Sequence, residues 1–108
     1  MMRHPRTGSR VPIQLAIEVR WKSRAGGFRK IKGKTDNISG NGLFMTLPVR
    51  LRRMTPISIT VSLPEEVTRV PLELHCLGRV VRWSKAGERA GIAATIEEYE
   101  FRRARRPG

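Results

Sequence analysis

The chain is poor in the residue types on which most enzyme active sites depend. Cys76 is the only cysteine, so an internal disulfide and a cysteine-rich zinc site are excluded. Asp36 is the only aspartate, and the two histidines, His4 and His75, lie far apart in the sequence. Ser39 has no histidine or lysine base in its own segment, and no glycine-rich phosphate loop of the nucleotide-hydrolase type is present. We therefore expect a binding protein that is not an enzyme and needs no metal or cofactor.

Long apolar segments are also missing. No stretch approaches the roughly 18 apolar residues that cross a bilayer as a helix. The basic residues at the N-terminus are not followed by a long apolar run of the kind found in a secretory signal. We therefore predict no membrane span. The single cysteine suits a reducing compartment, which makes the cytoplasm the expected location.

Negative charge is scarce, whereas positive charge is abundant. The chain has 22 lysines and arginines against 9 acidic residues, which gives a formal net charge of +13. A chain with this excess is expected to bind anions. Nucleic acid, an acidic protein, an anionic membrane surface and a phosphorylated small molecule all fit, and charge alone does not choose among them.

The pattern of apolar residues predicts a small all-β domain. In two segments the apolar side chains alternate with polar ones, which is the period of a strand with one solvated face. Those side chains are Ile13, Leu15, Ile17, Val19 and Trp21 in the first segment, and Ile57, Ile59, Val61 and Leu63 in the second. Turn signals such as Ala25-Gly26-Gly27 separate the short strands. We predict an antiparallel β-barrel of about six strands, because closure removes the edges of so small a sheet.

The ends of the chain and one strand carry more specific expectations. Residues 1–11 are predicted to form a flexible basic arm, and residues 12–108 the barrel with a short C-terminal helix. The helix is expected because Glu97 to Glu100 precede a run of basic residues, an order that complements the helix dipole. Phe28 to Thr35 alternates only weakly, which favours an exposed edge strand, and Asp36 to Asn41 is predicted to be a turn.

Two short motifs carry most of the functional information. Asn37-Ile38-Ser39-Gly40-Asn41-Gly42 offers a side-chain amide, a hydroxyl and backbone N–H groups, although the same residues also suit a plain tight turn. Upstream, Arg6 and Arg10 offer planar forks that match phosphate oxygens and the O6/N7 edge of guanine. Together they form a set of groups suited to binding an anionic guanine nucleotide.

These motifs resemble those of the bacterial PilZ domain family, whose members carry Arg-x-x-x-Arg followed by [Asp/Asn]-x-Ser-x-x-Gly. Here the motifs read Arg6…Arg10 and Asn37-x-Ser39-x-x-Gly42. Leu77 to Trp83 is similar to the late Gly-x-Val-Val-Arg strand of the family, and Arg89 to Ala93 is similar to its closing strand. The resemblance extends from Arg6 to about Ile96.

The resemblance implies a stand-alone receptor for the second messenger cyclic di-GMP. It implies that Arg6 and Arg10 grip the phosphates and guanine edges of the ligand. Asn37 and Ser39 would hydrogen-bond the other guanine face or its ribose, and Gly42 would let the backbone come close. It further implies that binding orders the arm and relays the signal to a protein partner. One ligand molecule and an intercalated pair both remain open.

Two residues of the late strand are secondary candidates. Trp83 is predicted to end a strand beside a turn, where its ring could stack on a purine, although a core or barrel-rim position is the more common role of such a tryptophan. Arg79 is the other candidate. Strand alternation places Arg79 and Arg82 on opposite faces, so at most one of them is expected to face a given pocket.

Two alternatives stay open. A basic nucleic-acid-binding barrel would use Trp21, Trp83 and Phe28 for stacking together with the many arginines. It is disfavoured because it would not require both motifs. A degenerate PilZ fold used only for protein contacts is disfavoured because every motif position is filled.

Overall fold

The computed structural model describes residues 14–104, apart from the side chains of residues 66 and 67. Within this range the chain forms seven strands and one helical turn. They are β1 (Ala16–Lys22), β2 (Phe28–Ser39), β3 (Gly42–Leu47), β4 (Pro56–Leu63), α1 (Glu65–Thr68), β5 (Leu72–Ala86), β6 (Arg89–Thr95) and β7 (Glu98–Arg103).

Six of the strands close into an antiparallel barrel, as predicted. The sheet runs β4-β1-β2-β3-β6-β5, and a further pairing between β4 and β5 closes the ring. Closure depends on the length of β5, which spans 15 residues. Its first half, Leu72 to Arg79, pairs with β4, and its second half, from Val80 to Ala86, pairs with β6.

The interior of the ring holds one hydrophobic core. The alternation predicted for the first strand is confirmed, because Leu15, Ile17 and Val19 are buried. In β4, Ile57, Ile59 and Val61 are buried in the same alternating manner. Each fully buried side chain of this size contributes about 1.5–3 kcal/mol by leaving water. Trp21 is only partly buried and packs against the core.

The hairpin between β1 and β2 forms where the glycines predicted it. Gly26 and Gly27 adopt φ angles of +89° and +76°, a region that side chains with a Cβ rarely occupy. The Ser23 hydroxyl donates to the Gly26 carbonyl at 2.8 Å and fastens the turn.

The predicted C-terminal helix is wrong, because the segment forms strand β7. Tyr99 and Phe101 alternate with charged residues, and the strand pairs with the first half of β5. The ends are fixed by the Glu97 N–H to Leu77 carbonyl bond of 2.7 Å and the Ala104 N–H to Pro71 carbonyl bond of 2.8 Å. A helix this short is marginal in water, whereas the side of β5 offers a full set of backbone partners.

Strand β2 also differs from the prediction. It is not an edge strand, since it pairs with β1 on one side and β3 on the other. It also continues through Ser39, so only Gly40 and Asn41 remain as the turn. The alternation is weak because the inner face carries Gly33 and Thr35 beside the apolar Ile31, whereas the apolar Phe28 is exposed on the other face.

Candidate ligand-binding site

A β-bulge at Asp36 determines which way the motif residues point. Thr35 pairs with Met45 and Asn37 with Phe44, so Asp36 is an extra residue on β2. Thr35 faces the core and is fully buried. Without the extra residue, strand periodicity would turn Asn37 toward the core as well. The bulge therefore places Asn37 on the outer face of the barrel.

Side-chain hydrogen bonds hold the bulged residue. The Thr46 hydroxyl donates to Asp36 Oδ2 at 2.7 Å, and the Gln14 amide lies 3.4 Å from Oδ1. The next residue, Leu15, donates its backbone N–H to the Thr35 hydroxyl at 3.0 Å. The chain that precedes β1 is thus fastened directly beside the bulge.

A second bulge on β5 acts in the same way. Val80 pairs with Ala94 and Arg82 pairs with Ala93, which leaves Val81 as the extra residue. Val80 is fully buried, so an unbroken alternation would turn Arg82 inward. The bulge turns it outward instead. It also corrects the expectation that Arg79 and Arg82 lie on opposite faces, because both are now outside.

The two bulges place their residues in one cross-strand row. The row runs Asn37, Phe44, Ala93 and Arg82 across β2, β3, β6 and β5. At about 4.8 Å per strand, its ends are roughly 14 Å apart along the sheet. Asn37 and Arg82 line the same surface depression of about 470 Å³. The other predicted motif residues, Ser39 and Gly42, line it too.

Ser39 belongs to the hairpin as well as to the depression. Its hydroxyl lies 3.0 Å from Asn41 Oδ1 and 3.1 Å from the Gly42 carbonyl, and its single proton serves one of them at a time. The hydroxyl therefore stabilises the turn by donating. Its oxygen can still accept a hydrogen bond from a ligand N–H group.

A glycine is needed at position 42 because a side chain there would have no room. Its φ is not among the positive values of the described residues. A Cβ at this position would lie 2.9 Å from the Ala94 carbonyl oxygen, closer than such contacts normally occur. The glycine thus permits the close approach of β3 and β6 at the edge of the depression.

The depression also contains two residues that the sequence did not single out as site residues. Arg82 is the only charged residue among the described residues that line it. The Phe44 ring is half-buried and extends toward Gly91, where a Cβ would lie 2.7 Å from its Cζ atom. Phe44 lies in none of the motifs. Arg82 is the arginine of the Gly-x-Val-Val-Arg resemblance, but the bulge that turns it outward leaves no clear signal in the sequence.

Of the remaining predicted residues, Arg79 and Trp83 lie outside the depression. Arg6 and Arg10 fall outside the described residues. Arg79 does not line the depression, and its Nε lies 3.4 Å from Glu97 Oε2. Trp83 lines a different depression, where the Arg50 guanidinium carbon lies 4.7 Å from its ring centroid. Trp83 therefore does not line the depression that contains Asn37 and Ser39.

A strongly basic cleft lies around Trp21. It has a volume of about 710 Å³, and the residues of segment 14–104 that line it include six basic ones and no acidic ones. The basic residues are Lys22, Arg24, Arg29, Lys30, Arg50 and Arg52. Arg50 is shared with the depression that contains Trp83, so the two are adjacent.

Residues 14–104 contain no group of three or more His, Cys, Asp or Glu side chains placed to hold a metal ion. In the same range, no helix is long and apolar enough to cross a membrane.

Comparison with models of known protein families gives no match, and no curated protein matches the chain. The described residues form a small antiparallel barrel, which is the class of fold that the sequence predicts.

Proposed function

We propose that this barrel is a PilZ-like receptor that binds cyclic di-GMP in the depression between β2 and β5. The observation that carries the proposal is the pair of bulges. They turn Asn37 and Arg82 from the core to the outer face, in one depression with Ser39 and Gly42.

The groups in the depression match the chemistry of the ligand. The Asn37 and Ser39 side chains supply acceptors for the N–H groups of a guanine, and Asn37 also supplies donors. The planar guanidinium of Arg82 fits either the O6/N7 edge of guanine or a phosphate. The Phe44 ring adds an apolar surface next to these polar groups.

The anchoring of the N-terminal segment supports a role for the two motif arginines. Gln14 and Leu15 are hydrogen-bonded beside the Asp36 bulge, one residue from Asn37. Arg10 is four positions before Gln14, so an extended chain lets its Cα reach about 14 Å from that anchor. That distance covers the depression. Arg6 and Arg10 supply cations for the two phosphates, where Arg82 is the only charge among the described lining residues.

Ordering of the arm over the depression creates a surface that exists only in the liganded protein. A protein partner that binds this surface receives the signal. The relay needs no second domain, because the ligand itself supplies the negative charge that brings the arginines together.

A calorimetric titration of the full chain with cyclic di-GMP tests the proposal, with GTP as the competing guanine nucleotide. We expect saturable binding of cyclic di-GMP that is lost in Arg10→Ala and weakened in Ser39→Ala. Arg24→Ala, which removes an arginine of the basic cleft, is the control and should bind normally. Equal losses in Arg10→Ala and Arg24→Ala would show charge attraction alone and refute the site.

The basic cleft favours a second candidate function, the binding of single-stranded nucleic acid. Six cations and no carboxylate of the described residues line this groove, which suits a phosphate backbone, and Trp21 lies in its wall. This function predicts tight oligonucleotide binding that is lost in Arg24→Ala and kept in Ser39→Ala. The same two variants thus separate the two functions.

A further inference from the structure

Strand β7 has one edge without a strand partner in residues 14–104. It pairs with β5 on one side only, and β5 is its only strand partner in the described part of the chain. Two large aromatic side chains stand on it, Tyr99 at 63% exposed and Phe101 at 61% exposed. Their rings contact each other edge to face, with centroids 6.3 Å apart. Exposed edges of this kind readily pair with another strand.

The charge of β7 differs from that of the chain around it. The strand reads Glu98-Tyr99-Glu100-Phe101-Arg102-Arg103, with two acids and two bases, in a chain of net charge +13. It is therefore a strand of balanced charge with two exposed aromatic residues, in a strongly basic chain. A second copy of the chain, otherwise repelled by like charge, can approach most easily here.

The charged and aromatic residues occupy opposite faces of the strand. Glu98, Glu100 and Arg102 share one face, and Arg102 Nε lies 2.9 Å from Glu100 Oε2. The Arg102 guanidinium holds the pKa of Glu100 below its usual value, so both groups are charged at neutral pH. Tyr99, Phe101 and Arg103 share the other face, by the period of two.

We propose that β7 pairs antiparallel with β7 of a second copy, about a two-fold axis at Phe101. In this register, Glu100 lies opposite Arg102 of the second copy, twice by symmetry. On the other face, the two Phe101 rings meet at the axis, and each Tyr99 lies opposite Arg103 of the second copy. Each of these pairs is of a kind that stabilises antiparallel strands.

Two physical constraints select this register. Directly opposed residues of an antiparallel pair point to the same side of the sheet, so the axis must pass through a residue and not between two. An axis at Glu100 would place the two Glu100 carboxylates opposite each other. The axis at Phe101 opposes no like charges.

The order of charges along β7 also favours a second copy of the chain as the strand that pairs with its edge. The acids lie in the first half of β7 and the bases in the second half. A second copy that pairs antiparallel presents the same charges in the reverse order, so acids lie opposite bases. An acidic peptide would meet Glu98 and Glu100, and a basic one would meet Arg102 and Arg103. A six-residue strand pair is at the small end of specific interfaces, so the dimer forms reversibly.

Sedimentation equilibrium of the full chain, over a range of concentrations, tests the proposal. We expect Glu100→Arg and Arg102→Glu each to weaken dimerisation by about tenfold or more, because each places two like-charged pairs across the interface. Mixing the two variants should restore a heterodimer. The double variant Glu100→Arg/Arg102→Glu should restore the homodimer, since its charges are complementary again.

Two controls separate this pairing from a change in net charge. Glu88→Arg, in the turn between β5 and β6, changes the net charge as Glu100→Arg does, and Arg24→Glu changes it as Arg102→Glu does. Both should dimerise nearly as the parent chain does, after a small correction for net charge. A parent chain that stays monomeric to about millimolar concentration, or a mixture that stays monomeric, would overturn the proposal.

Discussion

Arg79 and Arg82 are three positions apart on β5 and differ in their surroundings. Arg82 lines the depression, whereas Arg79 lies outside it and is near Glu97. A hydrogen bond to a charged group contributes about 1.5–3 kcal/mol, so Arg82→Ala should weaken cyclic di-GMP binding by roughly 10- to 100-fold. Arg79→Ala is the control and should leave the dissociation constant nearly unchanged. Calorimetric titration measures both, and a larger loss in Arg79→Ala would contradict the placement of the ligand.

Gly42 and Gly40 allow a matched test of the hairpin. A Cβ at Gly42 would meet the Ala94 carbonyl oxygen at 2.9 Å, whereas a Cβ at Gly40 would have no atom within 4 Å. We expect Gly42→Ala to lower the free energy of unfolding by about 1–3 kcal/mol, because β3 and β6 must move apart. Gly40→Ala should change it by less than about 0.5 kcal/mol. Urea unfolding of both variants checks this, and equal stabilities would show that the strands adjust without cost.

At the scale of the element, strand β5 has three structural roles. It closes the barrel through β4, carries the bulge that exposes Arg82, and provides the side on which β7 pairs. A bulge interrupts the hydrogen-bond ladder at one position and bends the strand. The bend lets one strand serve two parts of the barrel, and the same extra residue reorients the site arginine.

The thiol in the middle of β5 gives a test of how well that strand is buried. Burial raises the pKa of the Cys76 thiol from 9.0 to about 11. At pH 8 the thiolate is therefore about a hundredfold rarer than in an ordinary cysteine, and modification by a disulfide reagent should be correspondingly slow. The same reagent should react quickly in denaturant. A native rate equal to the denatured rate would mean that β5 opens readily.

The same shift predicts a dependence of stability on pH. The folded state favours the neutral thiol, so its contribution is complete below the unfolded pKa of about 9 and is lost as the pH rises through about 11. The stability of the parent chain should therefore fall across this range relative to Cys76→Ala, which has no thiol to ionise. Urea midpoints of the two chains at pH 8 and pH 11 measure the difference, and parallel curves would contradict it.

At the scale of the whole molecule, the net charge of +13 makes salt a discriminating variable. Cyclic di-GMP carries two phosphates, so its affinity should vary with a log–log slope of about −2 or weaker. A nucleic acid that crosses the basic cleft would release more counterions, at about 0.9 per phosphate contacted. Titrations from low to moderate salt measure the slope. A steep slope for an oligonucleotide, with no binding of cyclic di-GMP, would favour the second function.

The sequence by itself determined the class of fold and the candidate motif. Alternation in β1 and β4 predicted their buried faces, since every second side chain of a strand points the same way. The glycines after Ala25 predicted the first hairpin because they alone tolerate positive φ readily. Asn37, Ser39 and Gly42 stood out by spacing, and all three line one depression.

Only the tertiary structure decided which way the site residues face and what the C-terminal segment becomes. A bulge reverses the alternation beyond it, and its position depends on the partner strand, so neither the Asn37 nor the Arg82 orientation follows from local sequence. The tail carries charges that suit a helix end and a residue alternation that suits a strand. The free side of β5 decided between them, because backbone partners on a neighbouring strand outweigh the weak preference of a short segment for a helix.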